Sequence, residues 1–323
     1  MKAIVQDRYG TEDVLKFDDI ERPTVGDDDV LVQVRAAGVD QGVWHLMAGL
    51  PYPLRLAGFG VRRPKLRVRG RDVAGRVEAV GRNVTRLKPG DEVFGTSDGS
   101  FAEYALSRAD RLAPKPAGLT FVQAAAVPTS ACTALKGIRD AGRVKAGQNV
   151  LVIGAGGGVG TYAVQIAKAF GARVTGVCGT TKADLVRSIG ADDVIDYTRE
   201  DFADRAHGFD VVLDIAGLRS LAVLRRALTP RGTLVIAGGE GGGRWLDGTH
   251  RQIQALVLSP FVRQDLRPLA SSERTEDLEF LTGLVESGKI TPVVDRTYPL
   301  NEAPEAIRHL REGRARGKFV VTV

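Results

Sequence analysis

The chain has 323 residues, of which 43% are hydrophobic, and a formal net charge of +6. This length and hydrophobic content predict about two packed domains, and so diffuse a positive charge does not indicate a nucleic-acid partner. The two cysteines, Cys132 and Cys178, are too few for a disulfide framework or a four-cysteine zinc site. With no secretory pattern at the N-terminus and no run of about 18 apolar residues, the simplest expectation is a cytoplasmic protein outside the membrane.

The first 120 residues read as a β-rich domain. Short β-like runs are separated by turns that contain proline, glycine and aspartate, which is typical of an antiparallel sheet. These runs cover residues 30–35, 73–80 and 103–106.

From Thr120 onward, predicted strands alternate with predicted helices. Such alternation packs as a parallel sheet with helices on both faces, so the predicted fold class is α/β. Strands are expected at residues 149–153, 172–178, 193–196, 210–215 and 233–237, and helices at 161–170, 182–189 and 220–228. A glycine-rich loop is expected at 238–243, then helices at 273–287 and 303–312 and a closing strand from Gly317.

The most specific chemical signal is the stretch NVLVIGAGGGVGTYAVQIAKAFGARV, residues 149–174. Gly157 and Gly160 occupy the last two glycine positions of a G-x-G-x-x-G fingerprint, with Ala155 at the first, between a strand and a helix. A side chain at the glycines would keep the backbone away from a pyrophosphate, which the free N–H groups of the helix N-terminus attract. The motif therefore predicts a dinucleotide site; the alternative is a purely structural tight turn.

The end of the next predicted strand distinguishes the two nicotinamide cofactors. There, an acidic residue binds the free 2′-hydroxyl of the adenosine ribose, whereas a basic residue accommodates a 2′-phosphate. The sequence at this point is Cys178, Gly179 and Thr180, followed closely by Lys182. An ammonium and a hydroxyl suit a phosphate, so NADPH (NADP) is favoured over NADH; the alternative is that Lys182 is an ordinary solvated lysine.

Four stretches together resemble the medium-chain dehydrogenase/reductase superfamily and, within it, the zinc-free quinone oxidoreductase branch. They are GRDVAGRVEAVGRNVTRLKPGDEVFG (70–95), VPTSACTAL (127–135), GAGGGVG (154–160) and VIDYTREDF (194–202). The resemblance covers essentially the whole chain. It implies a GroES-like, β-rich substrate domain, residues 1–122 with a return segment 266–323, and a Rossmann NADP-binding domain with a doubly wound parallel sheet, residues 123–265.

The same resemblance allows the zinc positions to be checked one by one. Zinc-dependent relatives have cysteine, histidine and cysteine where this chain has Asp40, Arg71 and Thr129. An arginine only donates hydrogen bonds and cannot ligate a metal. We therefore expect no zinc and no other metal. Without a Lewis acid, reduction of an electrophilic quinone or α,β-unsaturated carbonyl needs less assistance than oxidation of an alcohol.

On the substrate side, the resemblance points to the stretch from Asp40 to Tyr52. Tyr52 is the candidate donor to a developing oxyanion. Asp40 is the second catalytic candidate, although the branch more often has asparagine at that position. Trp44 and His45 are the candidate pocket residues. Packing is the competing interpretation for Trp44 and His45, and an anchoring role in its loop for Tyr52.

For the cofactor, the resemblance assigns three groups of residues. Those expected at the pyrophosphate are Gly157, Gly158 and Val159, and those expected at the 2′-phosphate and adenosine are Thr180, Lys182 and Tyr197. Those expected near the nicotinamide are Thr129, Ala216, Ala237 and Gly238, with Lys318 approaching from the C-terminal segment.

The expected function is hydride transfer from NADPH to a small hydrophobic electrophile, either a quinone or an enone. Two alternatives stay open: zinc-independent alcohol chemistry, and a non-catalytic NADPH-binding protein that binds RNA through eight basic residues between Arg55 and Arg76. A solvated loop is commoner for such a stripe, and Phe59 is its only aromatic residue for base stacking. Nucleic acid is therefore the less favoured partner. The resemblance also implies a homodimer, paired through the edge strand after residues 233–237.

Overall fold

The computed structural model describes residues 1–239, 243–246 and 248–323, so residues 240–242 of the predicted glycine-rich loop lie outside the described residues. The strands, in chain order, are β1 (Lys2–Val5), β2 (Lys16–Asp19), β3 (Asp29–Val39), β4 (Asp72–Val80), β5 (Glu92–Thr96), β6 (Tyr104–Arg108), β7 (Leu112–Pro114), β8 (Asn149–Ile153), β9 (Arg173–Cys178), β10 (Asp193–Asp196), β11 (Phe209–Asp214), β12 (Leu228–Ile236), β13 (Asp265–Pro268), β14 (Val294–Pro299) and β15 (Lys318–Thr322).

The α-helices, in chain order, are α1 (Gln41–Ala48), α2 (Tyr52–Leu54), α3 (Phe121–Ala125), α4 (Pro128–Leu135), α5 (Gly158–Ala169), α6 (Ala183–Ser188), α7 (Phe202–Arg205), α8 (Leu221–Ala227), α9 (Gly243–Leu246), α10 (Thr249–Leu258), α11 (Thr275–Glu286) and α12 (Ala303–Arg311). Over the described part of the chain, none of them is both long and apolar enough to cross a membrane.

The chain divides into two compact units. The first comprises Met1–Cys132 and Ser272–Val323, and the second Thr133–Ser271. The predicted changes of domain, after residues 122 and 265, fall earlier than these boundaries. Helix α3 packs on β3 and β4 of the first unit, which extends that unit beyond residue 122. Strand β13 pairs with β12 in the second unit, which extends that unit beyond residue 265.

The first unit is organised around the long strand β3. This strand pairs antiparallel with β4, β6 and β15, in a seven-stranded sheet of order β14-β15-β3-β4-β5-β7 with β6 joined to β3. Val30, Val32 and Val34 alternate along β3 and are buried in one apolar core, as the period of two along a strand requires. The predicted β-rich, GroES-like domain is confirmed.

The second unit is a parallel sheet of six strands in the order β10-β9-β8-β11-β12-β13. Every neighbouring pair is parallel. Counted from β8, this is the order 3-2-1-4-5-6 of a doubly wound Rossmann sheet, so the predicted α/β class is confirmed. In such a sheet, ligands bind at the carboxyl ends of the strands, which is the edge that carries the glycine loop.

Helix ends follow from local chemistry. Helix α1 begins where the Asp40 carboxylate accepts a hydrogen bond from the Val43 N–H at 3.1 Å, and it ends at Gly49 in the left-handed conformation, with φ +63°. Helix α5 begins at Gly158, earlier than the predicted residue 161, because Gly157 is already its N-cap.

Candidate active site

The glycine loop after β8 excludes a side chain at Gly160 and leaves open space outside Gly157. A Cβ at Gly160 would lie 2.1 Å from the Gly154 carbonyl oxygen, which packing forbids. A Cβ at Gly157 would approach only that same oxygen, at 3.6 Å, so the space outside Gly157 is open. Beyond it begin the backbone N–H groups of α5, including those of Gly158 and Val159. The loop therefore fits a pyrophosphate, as a Rossmann glycine loop does.

The end of β9 brings three of the predicted adenosine-side residues to the same corner. A Cβ added to Gly156 would lie 2.7 Å from Cβ and 2.8 Å from Cδ of Lys182, so the lysine stem lies across the glycine loop. Gly179, directly after β9, lies next to Tyr197, whose hydroxyl would be 3.5 Å from a Cβ there. Thr180 is the following residue. Lysine, tyrosine and threonine thus lie at the end of the second strand of this sheet, the region where the adenosine ribose binds in this fold; their role at a 2′-phosphate stays a prediction.

A carboxylate that sequence reasoning missed, Asp196, shares this corner. It ends β10, opposite Cys178 in the strand register. The hydroxyls of Thr180 and Thr198 both donate to it, and the two hydroxyls lie 2.8 Å apart. These hydrogen bonds, that of Thr180 first, hold the pKa of Asp196 below its ordinary value. The sequence does contain a signal for this residue: it is the aspartate of the segment VIDYT, and it ends the strand that follows β9.

The remaining predicted residues of the second unit lie along the same strand ends. The Ala216 N–H donates to the Ile153 carbonyl at 3.2 Å, which places it beside the glycine loop. The N–H groups of Ala237 and Gly238 both donate to the Asp214 carbonyl, at 2.9 and 3.1 Å. The carboxyl edge of the sheet thus brings together the loop, the adenosine-side corner and these three residues.

A buried ion pair supports this edge. The Asp214 carboxylate binds the Arg251 guanidinium of α10, and their side chains are 0% and 5% exposed. Burial raises the pKa of Asp214, and the arginine charge opposes that rise. The pair fastens α10 to the end of β11, so it orders the strand ends around the loop.

The first unit contains a second cluster, which we call the buried charge network: Asp40, Asp72, Thr129, Ser130 and Lys318. The Lys318 ammonium lies 3.0 Å from Asp72 Oδ2 and 4.0 Å from Asp40 Oδ2, and it donates to Ser130 Oγ at 3.1 Å. Thr129 donates to Asp72 Oδ1 from its N–H at 3.0 Å and from its hydroxyl at 2.5 Å. Lys318 is only 2% exposed, so its charge is directed into the unit. The cofactor roles predicted for Thr129 and Lys318 stay predictions.

Two members of this network, Asp40 and Thr129, occupy positions that the resemblance gives to zinc ligands, and the third such position is Arg71. Asp40 lies beside an ammonium, the hydroxyl of Thr129 is bonded to Asp72, and the Arg71 guanidinium is paired with Glu273. Among the described residues, no three His, Cys, Asp or Glu side chains are grouped so as to hold a metal ion. A zinc ion does not fit a set that contains an arginine and a neighbouring ammonium.

Asp40 is 9% exposed. Burial raises its pKa most strongly, Lys318 lowers it, and the neighbouring carboxylate of Asp72 raises it further. Because its carboxylate also caps α1, Asp40 is held in place from two sides. The structure thus shows it as a part of the network rather than as a free carboxylate in solvent.

The predicted pocket residues Trp44 and His45 and the catalytic candidate Tyr52 lie on the same segment as Asp40. The ring of Trp44 packs against the apolar core and lies under the Arg311 guanidinium at 3.7 Å, which agrees with the packing interpretation. Tyr52 begins α2, with the Arg55 guanidinium 4.8 Å from its ring centre. His45 lies in the last turn of α1. All three are absent from the lining of the cavity described next.

A cavity of about 460 Å³ lies within the first unit, between α1, the segment 58–71 and the turn after β5. Its apolar wall includes Val43, Leu46 and Leu66. The volume is within the range of small-molecule sites, about 300 to 1,000 Å³. Its charged wall consists of Lys65, Arg69, Arg71, Arg111 and Asp98.

Comparisons with known proteins agree with this description. Residues 26–117 match the family model of the alcohol dehydrogenase GroES-like domain, and residues 189–321 match that of the zinc-binding dehydrogenases. A 2-methylene-furan-3-one reductase of Solanum lycopersicum is 35% identical over 99% of this chain and 79% of its own length.

Two solved structures have the same fold over the whole chain. The Escherichia coli quinone oxidoreductase complexed with NADPH is 26% identical, with a TM-score of 0.85 over 100% of both chains. An NAD-dependent alcohol dehydrogenase is 30% identical, with a TM-score of 0.83 over 100% of both chains. The fold and the glycine loop thus define a two-domain, dinucleotide-dependent oxidoreductase. The chain belongs to the medium-chain dehydrogenase/reductase superfamily, in its quinone oxidoreductase-like branch.

Proposed function

We propose that this protein is an NADPH-dependent, zinc-independent reductase of quinones or α,β-unsaturated carbonyl compounds. The observation that carries the choice of cofactor is the position of Lys182, whose stem lies across the glycine loop beside Gly156. When bound, NADPH supplies the hydride. The open space outside Gly157 and the N-terminus of α5 would hold its pyrophosphate, and Thr180, Lys182 and Tyr197 its 2′-phosphate side.

Zinc independence is supported by the contacts at the ligand positions. The Lys318 ammonium stands near Asp40 and Asp72, and Arg71 is paired with Glu273. Alcohol oxidation needs a device that lowers the pKa of the bound hydroxyl, whereas a quinone or an enone is electrophilic already. For such an acceptor, the chain has mainly to bind and orient it.

We propose different roles for the two catalytic candidates, Tyr52 and Asp40. Tyr52 keeps the proposed role of hydrogen-bond donor to the developing oxyanion. For Asp40 we propose a positioning role, because it caps α1 and stands 4.0 Å from Lys318. It would hold both elements in place without touching the acceptor.

The test is NADPH consumption with quinones, alkenals, alkenones and aldehydes, and reduction of NADP+ or NAD+ with alcohols, each with and without a chelator. We expect the turnover of quinones or alkenones to be unchanged by the chelator. We also expect elemental analysis to find less than a tenth of a zinc ion per chain. Loss of activity with the chelator, or zinc near one per chain, would contradict zinc independence. Oxidation of alcohols with reduction of NAD+ or NADP+, without turnover of quinones or alkenones, would instead favour the alcohol dehydrogenase alternative.

The RNA-binding alternative has less support than the charge stripe suggests. Arg67, Arg71 and Arg76 are paired with Asp7, Glu273 and Glu92 respectively. Arg55 stacks on Tyr9 and donates to the Gly49 carbonyl, and Arg69 is buried. Four of the eight basic residues are thus held by contacts within the unit, and a fifth, Arg69, is buried away from solvent. The RNA-binding alternative would be supported if RNA bound at 200 mM salt, on the order of physiological ionic strength, and if NADPH displaced it.

We also propose a homodimer. Strand β13 ends the parallel sheet, and the adjacent α10 segment exposes Leu256, Val257 and Phe261, at 60%, 65% and 82%. An open edge next to exposed apolar side chains is a liability that pairing removes. Light scattering should give twice the chain mass, and Phe261→Glu should shift the protein towards monomer. A monomeric wild type at micromolar concentration would contradict the proposal.

A further inference from the structure

The charged wall of the cavity is unbalanced. Four cationic residues line it, Lys65, Arg69, Arg71 and Arg111, against one acidic residue, Asp98. Asp98 lies 3.8 Å from Arg111, and Arg71 is paired with Glu273 outside the wall. Two cations, Lys65 and Arg69, have no ion-pair partner among the residues that the structure describes. Lys65 is exposed, so water accounts for it.

Arg69 is different because it is 5% exposed. Its Nη2 donates to the Leu66 carbonyl, and its buried Nε has no hydrogen-bond partner within the described ranges. Burial lowers the pKa of Arg69 to about 10, so it stays charged at neutral pH. A buried guanidinium without a carboxylate is costly. A wall that retains one is suited to a ligand that brings the negative charge.

Two hydroxyls on the same wall have unused hydrogen-bonding capacity. Thr96 and Ser97, at the end of β5, are 1% and 3% exposed and both line the cavity. In the described part of the chain, neither Oγ1 of Thr96 nor Oγ of Ser97 has a hydrogen-bond partner. Buried polar groups normally have one. A guanidinium with two hydroxyls is a donor set for a carboxylate.

We propose that the cavity binds the carboxylate of an amphiphilic acceptor, with Arg69 as the residue that selects it and the apolar wall of Val43, Leu46 and Leu66 holding its hydrocarbon part. This inference rests on the proposed reductase function and narrows its substrate class to acceptors that carry an acidic group. Arg69 is a specificity residue here; it takes no part in hydride transfer.

The test compares an alkenone that ends in a carboxylate with its methyl ester, which has the same reacting double bond. The wild type should reduce the acid with kcat/KM about tenfold to hundredfold above that of the ester, because a hydrogen bond to a charged group is lost in the ester. In Arg69→Met this preference should fall to near one, with kcat for the ester and the dissociation constant of NADPH unchanged. Arg69→Lys should retain part of it.

The matched control is Arg62→Met, which removes the same charge from an exposed position of the same segment and should keep the wild-type preference. Equal kcat/KM for acid and ester in the wild type would overturn the proposal. The proposal would also be overturned if kcat/KM fell equally for the acid and the ester in both Arg69→Met and Arg69→Lys while the variants stayed soluble, because that result indicates a structural role.

A binding measurement separates this proposal from the proposed function. Calorimetry with decanoate, methyl decanoate and decyl phosphate on the NADPH-loaded protein should show Arg69-dependent binding of decanoate, no binding of methyl decanoate, and no tighter binding of decyl phosphate than of decanoate. If neither alkenone is reduced but decanoate binds through Arg69, the reductase function fails and the carboxylate site stands. Tighter binding of decyl phosphate, or decanoate binding that Arg69→Met leaves unchanged, would overturn the site even if the enzyme reduces enones.

Discussion

The glycine loop of the second unit and the buried charge network of the first are built in opposite ways. The loop, with its N-capped helix and the lysine that crosses it, comes from one β-α-β stretch of the chain. The network joins residues that are far apart: Lys318 and Ser130 are separated by 188 positions, and Thr129 and Asp72 by 57. The loop works through open backbone and a partly exposed lysine, whereas the side chains of the network are mostly buried. Mutations should therefore change ligand binding in the loop and stability in the network.

The largest effect is expected for Lys318→Met. It leaves Asp72, which is 0% exposed, without its cation, and breaking a buried pair costs about 3 to 5 kcal/mol. Urea unfolding should show this loss in the free energy of unfolding. Lys289→Met, at an exposed lysine of the same unit, should change it by less than about 0.5 kcal/mol. Equal losses for the two variants would contradict the importance of the network.

Next in size is Lys182→Ala, which tests the loop by ligand affinity. If Lys182 binds the 2′-phosphate, its loss removes a charge-assisted contact worth about 1.5 to 3 kcal/mol, roughly a tenfold to hundredfold rise in the dissociation constant of NADPH. NADH lacks the phosphate, so its binding should barely change, and the free energy of unfolding should stay near that of the wild type. Equal weakening of both cofactors, or tighter binding of NADH by the wild type, would refute the assignment.

A third variant, Asp40→Asn, tests the network through pH. The folded pKa of Asp40 is raised above its ordinary value of 3.8, chiefly by burial. A group with a raised folded pKa contributes stability that is fully present below the unfolded pKa and is lost as the pH rises through the folded pKa. Asparagine retains the N-cap of α1 and does not ionise.

Between pH 4 and pH 8, the wild type should therefore lose stability relative to Asp40→Asn, by about 1.4 kcal/mol for each unit of the shift. Chemical denaturation at several pH values measures this difference. A stability difference that stays constant with pH, or a wild type that gains stability relative to Asp40→Asn as the pH rises, would show that Lys318 outweighs burial at Asp40.

The smallest effect is expected for Asp196→Asn. The carboxylate stands beside Thr180 and opposes a second negative charge at the same corner. Removing its charge should tighten the binding of NADPH severalfold and leave the binding of NADH unchanged. The asparagine oxygen can still accept a hydrogen bond from Thr198. Fluorescence titration with both cofactors is sufficient. Weaker binding of NADPH would mean that Asp196 organises the corner more than it repels the phosphate.

Local patterns were enough to predict much of the second unit. Strands β8 and β10 have the predicted bounds, because short apolar runs between clear turn signals define both ends. Strand β13 was missed. Its sequence, DLRP, has one apolar residue fully buried and a proline, and only its pairing with β12 makes it a strand. Secondary structure that depends on a neighbour is not visible in a local window.

The sequence by itself determined the fold class, the dinucleotide loop and the two substitutions, Arg71 and Thr129, that disagree with a zinc site. These are encoded in short stretches, where residue type and spacing act directly on the backbone or on a ligand. The tertiary structure decided that Lys318 lies between two carboxylates, that Asp196 shares the corner with Lys182, and that Arg69 is the buried arginine of its stripe. Such facts depend on which distant segments meet and on how much water each charge loses there, and a charge has the same letter in the sequence whether it is solvated or buried.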